Sequence, residues 1–409
     1  MLRSMSTCRI CDNPVREFLD FGRQPVSDVF PEPADIGTEH FFRLAVAFCG
    51  NCTTVQQVEE VSRDRMFPAD YPYRSSGSAF IKQHFQRVAA HYLRTELSGQ
   101  DAFYVEIGCN DGVMLGAIRD AGVRHLGVDP AEQAAKVASA AGCRVHVGFF
   151  EEATAREIRE TDGPARLIFS ANTISHIAYI DSIFAGAGAL LDQGGVFVFE
   201  DRYLGDIITH TYFDQIYDEH FYLLSVSSVQ AMARRFGFEL VDVEPVPTHG
   251  GTMRYTTARA GERTPTEAVA RWLELEQAQG LWDLSTYEAF AERVRGNCAE
   301  LKETLARLRA DGKSIAGYGA TCKSATVLNY CGIGVESIDY ITDSTAEKQG
   351  RVTPGSHIPI RSPEVFRANY PDYAVLFAWN HAEEVMEKER EFKLSGGRWI
   401  LYAPDVRTV

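Results

Sequence analysis

The chain has 409 residues, 45% of them hydrophobic and 24% charged, and a formal net charge of −15. That balance describes a folded globular protein, excludes a disordered one, and at usual domain sizes predicts two or three domains. The acidic excess argues against a nucleic-acid-coating role, which needs a basic stripe, but leaves room for a local basic pocket around one anionic ligand. No stretch approaches the roughly 20 apolar residues that span a bilayer. The opening MLRSMSTCRICDN lacks an apolar signal core, and Met5 could serve as an alternative start, so a cytoplasmic protein with no membrane partner is expected.

Nine cysteines is an odd count over a long chain, which disfavours a secreted disulfide framework. Four of them form two CxxC pairs, Cys8/Cys11 and Cys49/Cys52. Two such turns brought together by a β-rich loop supply four thiolates and no open position, which is a closed structural zinc site. A module of this size, residues 1–65, has little apolar core, so metal binding is expected to contribute much of its folding free energy.

A second domain is expected over residues 66–262. It opens with a tyrosine- and serine-rich loop, Tyr71 to Ser78, containing Ser75, Ser76 and Gly77. A helix follows, with Phe80, Phe85, Val88, Ala89 and Tyr92 at helical spacing. The buried strand Phe103–Ile107 then runs into Glu106-Ile-Gly108-Cys-Asn110-Asp111-Gly112, where a helix begins. Glycine lets backbone approach a ligand, and the helix N-terminus points N–H groups at it. About twenty residues on, a second strand ends at Asp129, placed to hold a ribose diol. The pattern E-x-G-x-N-x-G is not the dinucleotide G-x-G-x-x-G; it resembles the S-adenosylmethionine site of a class I methyltransferase. Phe149 and Phe150 are expected near the adenine, and Asn172, Ser175 and His176 follow a strand at Arg166–Ser170. Further strands at Gly195–Glu200, Phe238–Val246 and Gly251–Arg259 complete a doubly wound, seven-stranded α/β sheet with ligands at its carboxyl edge. Within it, Tyr212 to Tyr222 crowds phenols, carboxylates and the His220 imidazole, a combination suited to moving a proton on carbon beside a carbonyl or simply to a solvated acidic face.

Residues 263–409 read as helices (Glu267–Ala278 and Thr286–Arg309) followed by a second Rossmann-like series. A strand enters Gly317-Tyr318-Gly319-Ala320-Thr321-Cys322-Lys323, another at Ile338–Ile341 ends near Asp343, and a third, Tyr373–Phe377, precedes Trp379, Asn380 and His381. Three uses remain open for this domain: binding a diphosphate at the glycine turn with Lys323 as counter-charge and Tyr318 or Trp379 packing a base, binding NADPH, or duplicating the middle domain structurally. His249, Gly250 and Arg254 mark a seam between the two domains or a plain hairpin turn.

Taken in order, the two CxxC pairs, DYPYRSSGS, VEIGCNDG, ISHI, YDEHFYLLS, HGGTMRY and GYGATCKSATVLNY resemble the zinc-containing C-methyltransferases of antibiotic deoxysugar pathways, and the resemblance runs end to end. It implies methylation at C-3 of a TDP-linked 4-keto-2,6-dideoxyhexose with S-adenosylmethionine as donor. By that resemblance His220 is the base, Tyr217 and Glu219 tune or position it, and His176 and Tyr71 lie near the sugar or the methyl group. Tyr222, with the seam and turn residues above, is expected to meet the sugar nucleotide. A small-molecule substrate, no nucleic acid and a monomer are expected. The alternatives carried forward are a bifunctional enzyme that also reduces the 4-ketone with NADPH, and an RNA methyltransferase.

Overall fold

The computed structural model describes residues 7–67, 71 and 74–409, so Met5 and, in the tyrosine–serine loop, Pro72 and Tyr73 lie outside the described residues. The central sheet has seven strands in the order Phe238–Val246, Thr252–Arg259, Leu191–Arg202, Ala165–Ala171, Phe103–Ile107, Arg124–Asp129, Val145–Val147. The last five are mutually parallel, and Thr252–Arg259 runs antiparallel to both of its neighbours. Phe103–Ile107 is buried along its whole length, as a strand covered by helices on both faces must be. This is the class I methyltransferase arrangement expected from the sequence.

Several details differ from the sequence reading. Phe80 is 40% exposed; the core-facing stripe of helix Ala79–Thr95 starts at Ile81 and continues through Phe85, Val88, Ala89 and Tyr92. The strand read as Gly195–Glu200 extends to Arg202, held there by pairing with Thr252. Val145–Val147, at the sheet edge, is too short to have shown alternation. The strand expected at Ile338–Ile341 shrinks to Ile341–Thr342, because the N–H groups of Ser337 and Ile338 turn back to the carbonyl of Gly334.

The amino-terminal segment forms an antiparallel sheet of Arg16–Pro25, Phe41–Phe48 and Val55–Gln57, and its fourth strand is Tyr222–Leu223, from far along the chain. This module does not rely on its own small core. Phe18 and Phe48 pack on Tyr287 of helix Leu284–Ala310 (ring centroids 5.1 and 4.7 Å), and Phe21 meets Tyr330 edge-on. The carboxyl-terminal sheet has the order Ile360–Arg361, Ile341–Thr342, Ile315–Tyr318, Tyr373–Leu376, Arg398–Leu401, Arg407–Thr408, parallel except for the last strand. It is a second Rossmann-like domain. No helix among the described residues is long and apolar enough to cross a membrane.

Candidate active site

At the amino terminus, two matched turns present the four cysteines. Asp12 N–H returns to the Cys8 carbonyl and Thr53 N–H to the Cys49 carbonyl, each turn closed by a residue at φ 60°. The Sγ atoms of Cys8 and Cys52 lie 3.5 Å apart, as do those of Cys11 and Cys49, and all four are within 4.8 Å of one another. A tetrahedral zinc–thiolate centre with bonds of about 2.3 Å has edges of about 3.8 Å, so this set fits a zinc ion without rearrangement.

A cleft of about 980 Å³ opens at the carboxyl edge of the central sheet, between it and the carboxyl-terminal domain. One half is built by the glycine loop. Glu106, Gly108, Asn110 and Asp129 border it, with Phe149 and Phe150 at the far end and Ser75 and Gly77 opposite. Asp129 accepts the backbone N–H of Asn110 (2.7 Å) and of Ala131 (2.8 Å), which sets the shape of the loop and keeps the carboxylate at the wall. Burial pushes the Glu106 carboxyl up to about 8, despite a hydrogen bond from the Tyr104 hydroxyl. The donor set, an acid at the second strand end, a glycine turn and aromatic rings, matches the ribose, methionine and adenine parts of S-adenosylmethionine. Arg63, unflagged by the sequence, lies over the Phe149 ring at 4.3 Å, at the end of the cleft where the sequence leads one to expect the adenine.

Four residues expected to touch the cofactor do other work. Ser76 and Asp111 do not border the cleft: Ser76 N–H donates to the Asp111 carboxylate, and Ser75 N–H to the Asn110 side chain, latching the serine loop onto the glycine loop. Gly112, at φ 79°, caps the helix where a Cβ would lie 2.8 Å from Ala138, so it serves packing. Ser175 is buried, its hydroxyl donating to Asp201 at 2.6 Å.

The other half of the cleft is walled by Tyr71, Asn172, His176, Tyr217, Glu219, His249, Lys323 and Asn380. Tyr71 donates its hydroxyl to Glu219 at 3.1 Å. Burial, reinforced by Asp218 and Asp28, raises the Glu219 carboxyl well above its ordinary value. His220 sits directly behind this wall, 1% exposed, with ring centroids 4.1 Å from Tyr217 and 5.2 Å from His176. Its Nδ1 is bonded to the Gln215 carbonyl, so Nδ1 carries the hydrogen and Nε2 presents a lone pair. Nε2 of His220 and of His176 has no partner among the described residues. Burial lowers His176 to about 3 and His220 well below its usual value, so both rings are neutral at pH 7.

The 213–220 loop is gripped from three sides, by residues that, Trp379 apart, carry no sequence signal. Gln57 Nε2 donates to the carbonyls of Tyr217 (2.6 Å) and His220 (2.9 Å), while Ser27 N–H donates to Asp218. Gln215 is held by Arg202 Nε at 2.9 Å. From the carboxyl-terminal side, Thr326 donates to the Ile216 carbonyl, and Trp379 and Tyr402 both donate to Asp214.

Several expected substrate contacts are accordingly elsewhere. Trp379 stacks on Tyr212 at 4.0 Å and braces Asp214, and Gly250, at φ 87°, is needed because a Cβ there would come 2.7 Å from that indole. Arg254 is buried in the sheet with its guanidinium bound to Glu200 and Glu244. Tyr222, in the strand paired with Val55–Gln57, donates its hydroxyl to the Ala178 carbonyl, and Tyr318 donates to Glu389 in the carboxyl-terminal core. Gly319 packs against Ala378, and Asp343 accepts N–H groups from Ala320 and Thr345, repeating the Asp129 device away from the cleft wall. The acid on which a nicotinamide-binding reading depends is therefore off the cleft. Lys323 and Asn380 do face the cleft, joined by a 2.7 Å hydrogen bond, and burial lowers the ammonium to about 8. Lys348 and Arg351 line the same side and were not anticipated.

Three family models match successive stretches of the chain: a zinc binding domain over residues 8–67, a methyltransferase domain over 80–243 and a C-methyltransferase C-terminal domain over 247–404. The chain is 35% identical over 418 residues to the C-methyltransferase NovU of Streptomyces niveus, which covers 100% of this chain and 98% of that one. An S-adenosylmethionine-dependent methyltransferase structure from Anabaena variabilis covers 42% of this chain and 84% of its own at 14% identity, with a TM-score of 0.34. Another from Clostridium acetobutylicum covers 46% and 94% at 10% identity, with a TM-score of 0.35.

Proposed function

Because the chain belongs to the family of C-methyltransferases with an amino-terminal zinc binding domain, we propose that this S-adenosylmethionine-dependent enzyme methylates C-3 of a TDP-linked 4-keto-2,6-dideoxyhexose. The observation that carries the reading is the buried His220 imidazole, fixed by the Gln215 carbonyl in the tautomer that leaves Nε2 basic and unpartnered among the described residues, packed behind Tyr217 and Glu219, which line a cleft shared with the glycine loop and Lys323. A saturated sugar carbon is not a nucleophile, but removing the proton beside a ketone makes it one. S-adenosylmethionine supplies an electrophilic methyl group on sulfur. His220 takes the C-3 proton, Tyr71 and Glu219 hold one another across the cleft, and His176 closes the wall beside the reacting carbon. In this reading Lys323, with Asn380, meets the diphosphate, and closure of the cleft keeps water from a basic enolate. The zinc centre holds structure and takes no part in the chemistry.

The test is direct. The protein is incubated with S-adenosylmethionine and a panel of TDP-4-ketosugars, and products are read by mass spectrometry and carbon NMR. A new carbon–carbon bond at C-3 supports the assignment; methyl transfer to oxygen, or none to any 4-ketosugar, overturns it. Adding NADPH and following its absorbance decides the bifunctional alternative in the same experiment.

A further inference from the structure

Arg202 stands at the carboxyl end of strand Leu191–Arg202, where ligands of a doubly wound sheet gather, and its side chain lines the cleft. Its Nε donates to the Gln215 side chain at 2.9 Å and Nη1 to the Asn172 side chain at 3.3 Å. Both partners are neutral amides: they fix the direction of the guanidinium without cancelling its charge. Among the described residues Nη2 has no hydrogen-bond partner and no carboxylate is in ion-pair contact with the group, although its charge acts at longer range on Glu219 and Asp201. Lys323 is likewise held only by a neutral amide, whereas Lys348 pairs with Asp28, Arg351 with Glu32 and Arg63 with Glu151. The same Gln215 that anchors Arg202 through its side chain anchors His220 through its carbonyl, so one residue sets the cation and the imidazole relative to each other.

A cleft-facing guanidinium with no carboxylate in direct contact, beside a neutral base, is the pairing that enolisation requires, since negative charge must collect on the ketone oxygen as the proton leaves. We propose that Arg202 is a catalytic residue that holds the C-4 oxygen through Nη2 while His220 removes the C-3 proton, an assignment that rests on the reaction proposed above. In this step the C–H bond breaks, its electron pair becomes the C-3=C-4 π bond, the carbonyl π pair moves onto oxygen beside Arg202, and the proton ends on His220 Nε2. The charge of Arg202 also helps to hold His176, His220 and His249 neutral, after burial, which is the larger cause. A fixed planar donor suits this task better than a mobile ammonium.

The experiment measures washout of solvent deuterium into C-3 of the 4-ketosugar in the presence of S-adenosylhomocysteine, for wild type, Arg202→Gln and Arg202→Lys. Affinity for S-adenosylhomocysteine is measured by calorimetry alongside. Loss of one preorganised oxyanion donor lowers such rates by about 100- to 1,000-fold. The expected result is that loss in R202Q with unchanged S-adenosylhomocysteine affinity, and partial recovery in R202K. Wild-type exchange in R202Q overturns the assignment, as does a parallel loss of S-adenosylhomocysteine binding, which would give the guanidinium to the methionine carboxylate. If R202Q does not fold, R202K decides: exchange at the wild-type rate counts against it, and a reduced rate at normal S-adenosylhomocysteine affinity supports it. A wild-type protein that never exchanges C-3 hydrogen refutes the enolisation reading and this assignment with it, whereas exchange that survives in R202Q refutes only Arg202.

Discussion

Replacing Gln57 by Leu tests whether the amino-terminal module sets the geometry of the 213–220 loop. Gln57 is 1% exposed, and its Nε2 is the donor to the carbonyls of Tyr217 and His220. Leucine fills nearly the same volume but donates nothing. The Tyr217 carbonyl keeps the N–H of His220, so its loss is that of one hydrogen bond, about 1 kcal/mol. The His220 carbonyl loses the side-chain donor in a buried place, at a cost of about 1–3 kcal/mol. Removing the Gln57 Oε1, itself unpartnered, returns part of this, so a net destabilisation of about 2–3 kcal/mol is expected. A loop relaxed by even 1 Å should lower kcat by about 100-fold. Urea unfolding, turnover with a 4-ketosugar and S-adenosylhomocysteine calorimetry measure the three quantities. Binding should be unchanged, because Gly108, Asn110 and Asp129 belong to a separate loop. A Q57L protein with wild-type kcat and stability within about 0.5 kcal/mol would refute the claim that this side chain positions the loop.

The four-cysteine centre should hold one zinc per chain by mass spectrometry; Cys49→Ser or chelation should abolish turnover, since Gln57 and the pairing with Tyr222–Leu223 depend on that sheet. His220→Asn should lower both C-3 deuterium exchange and methyl transfer by at least about 100-fold with S-adenosylhomocysteine affinity intact, and more severely than His176→Asn; the reverse order would move the base to His176. Acidification should separate wild type from His176→Asn. His176 is held at about 3 by burial while an unfolded histidine titrates near 6.5, so below pH 6.5 the unfolded chain binds a proton that the folded one refuses, and wild type loses stability that the variant keeps down to about pH 3. Equal pH dependence of urea midpoints in the two proteins would contradict that burial. Because His220 is likewise depressed, the acid limb of kcat should fall below pH 6.5, and a limb at or above 6.5 would count against a buried neutral base.

Local sequence determined what depends on neighbours along the chain. The CxxC spacing specified a four-thiolate knot, and the glycine loop with its acid about twenty residues on specified a cofactor edge, because both are matters of backbone reach and turn geometry. The composition of the crowded 212–222 segment left a proton-transfer site and a solvated acidic face both open, and its catalytic reading came from the family resemblance. Tertiary structure decided what those residues face. Trp379, Tyr318 and Asp343 look like ligand contacts in the sequence but are spent on Asp214, Glu389 and the backbone of their own turn. Conversely, Gln57 and Arg202 carry no motif, and their importance comes from meeting the 213–220 loop from other parts of the chain. A side chain's chemistry is a property of its residue type, but its protonation, its partners and its access to substrate are set by burial and by the groups brought from elsewhere in the chain, and these exist only once the three sheets have packed.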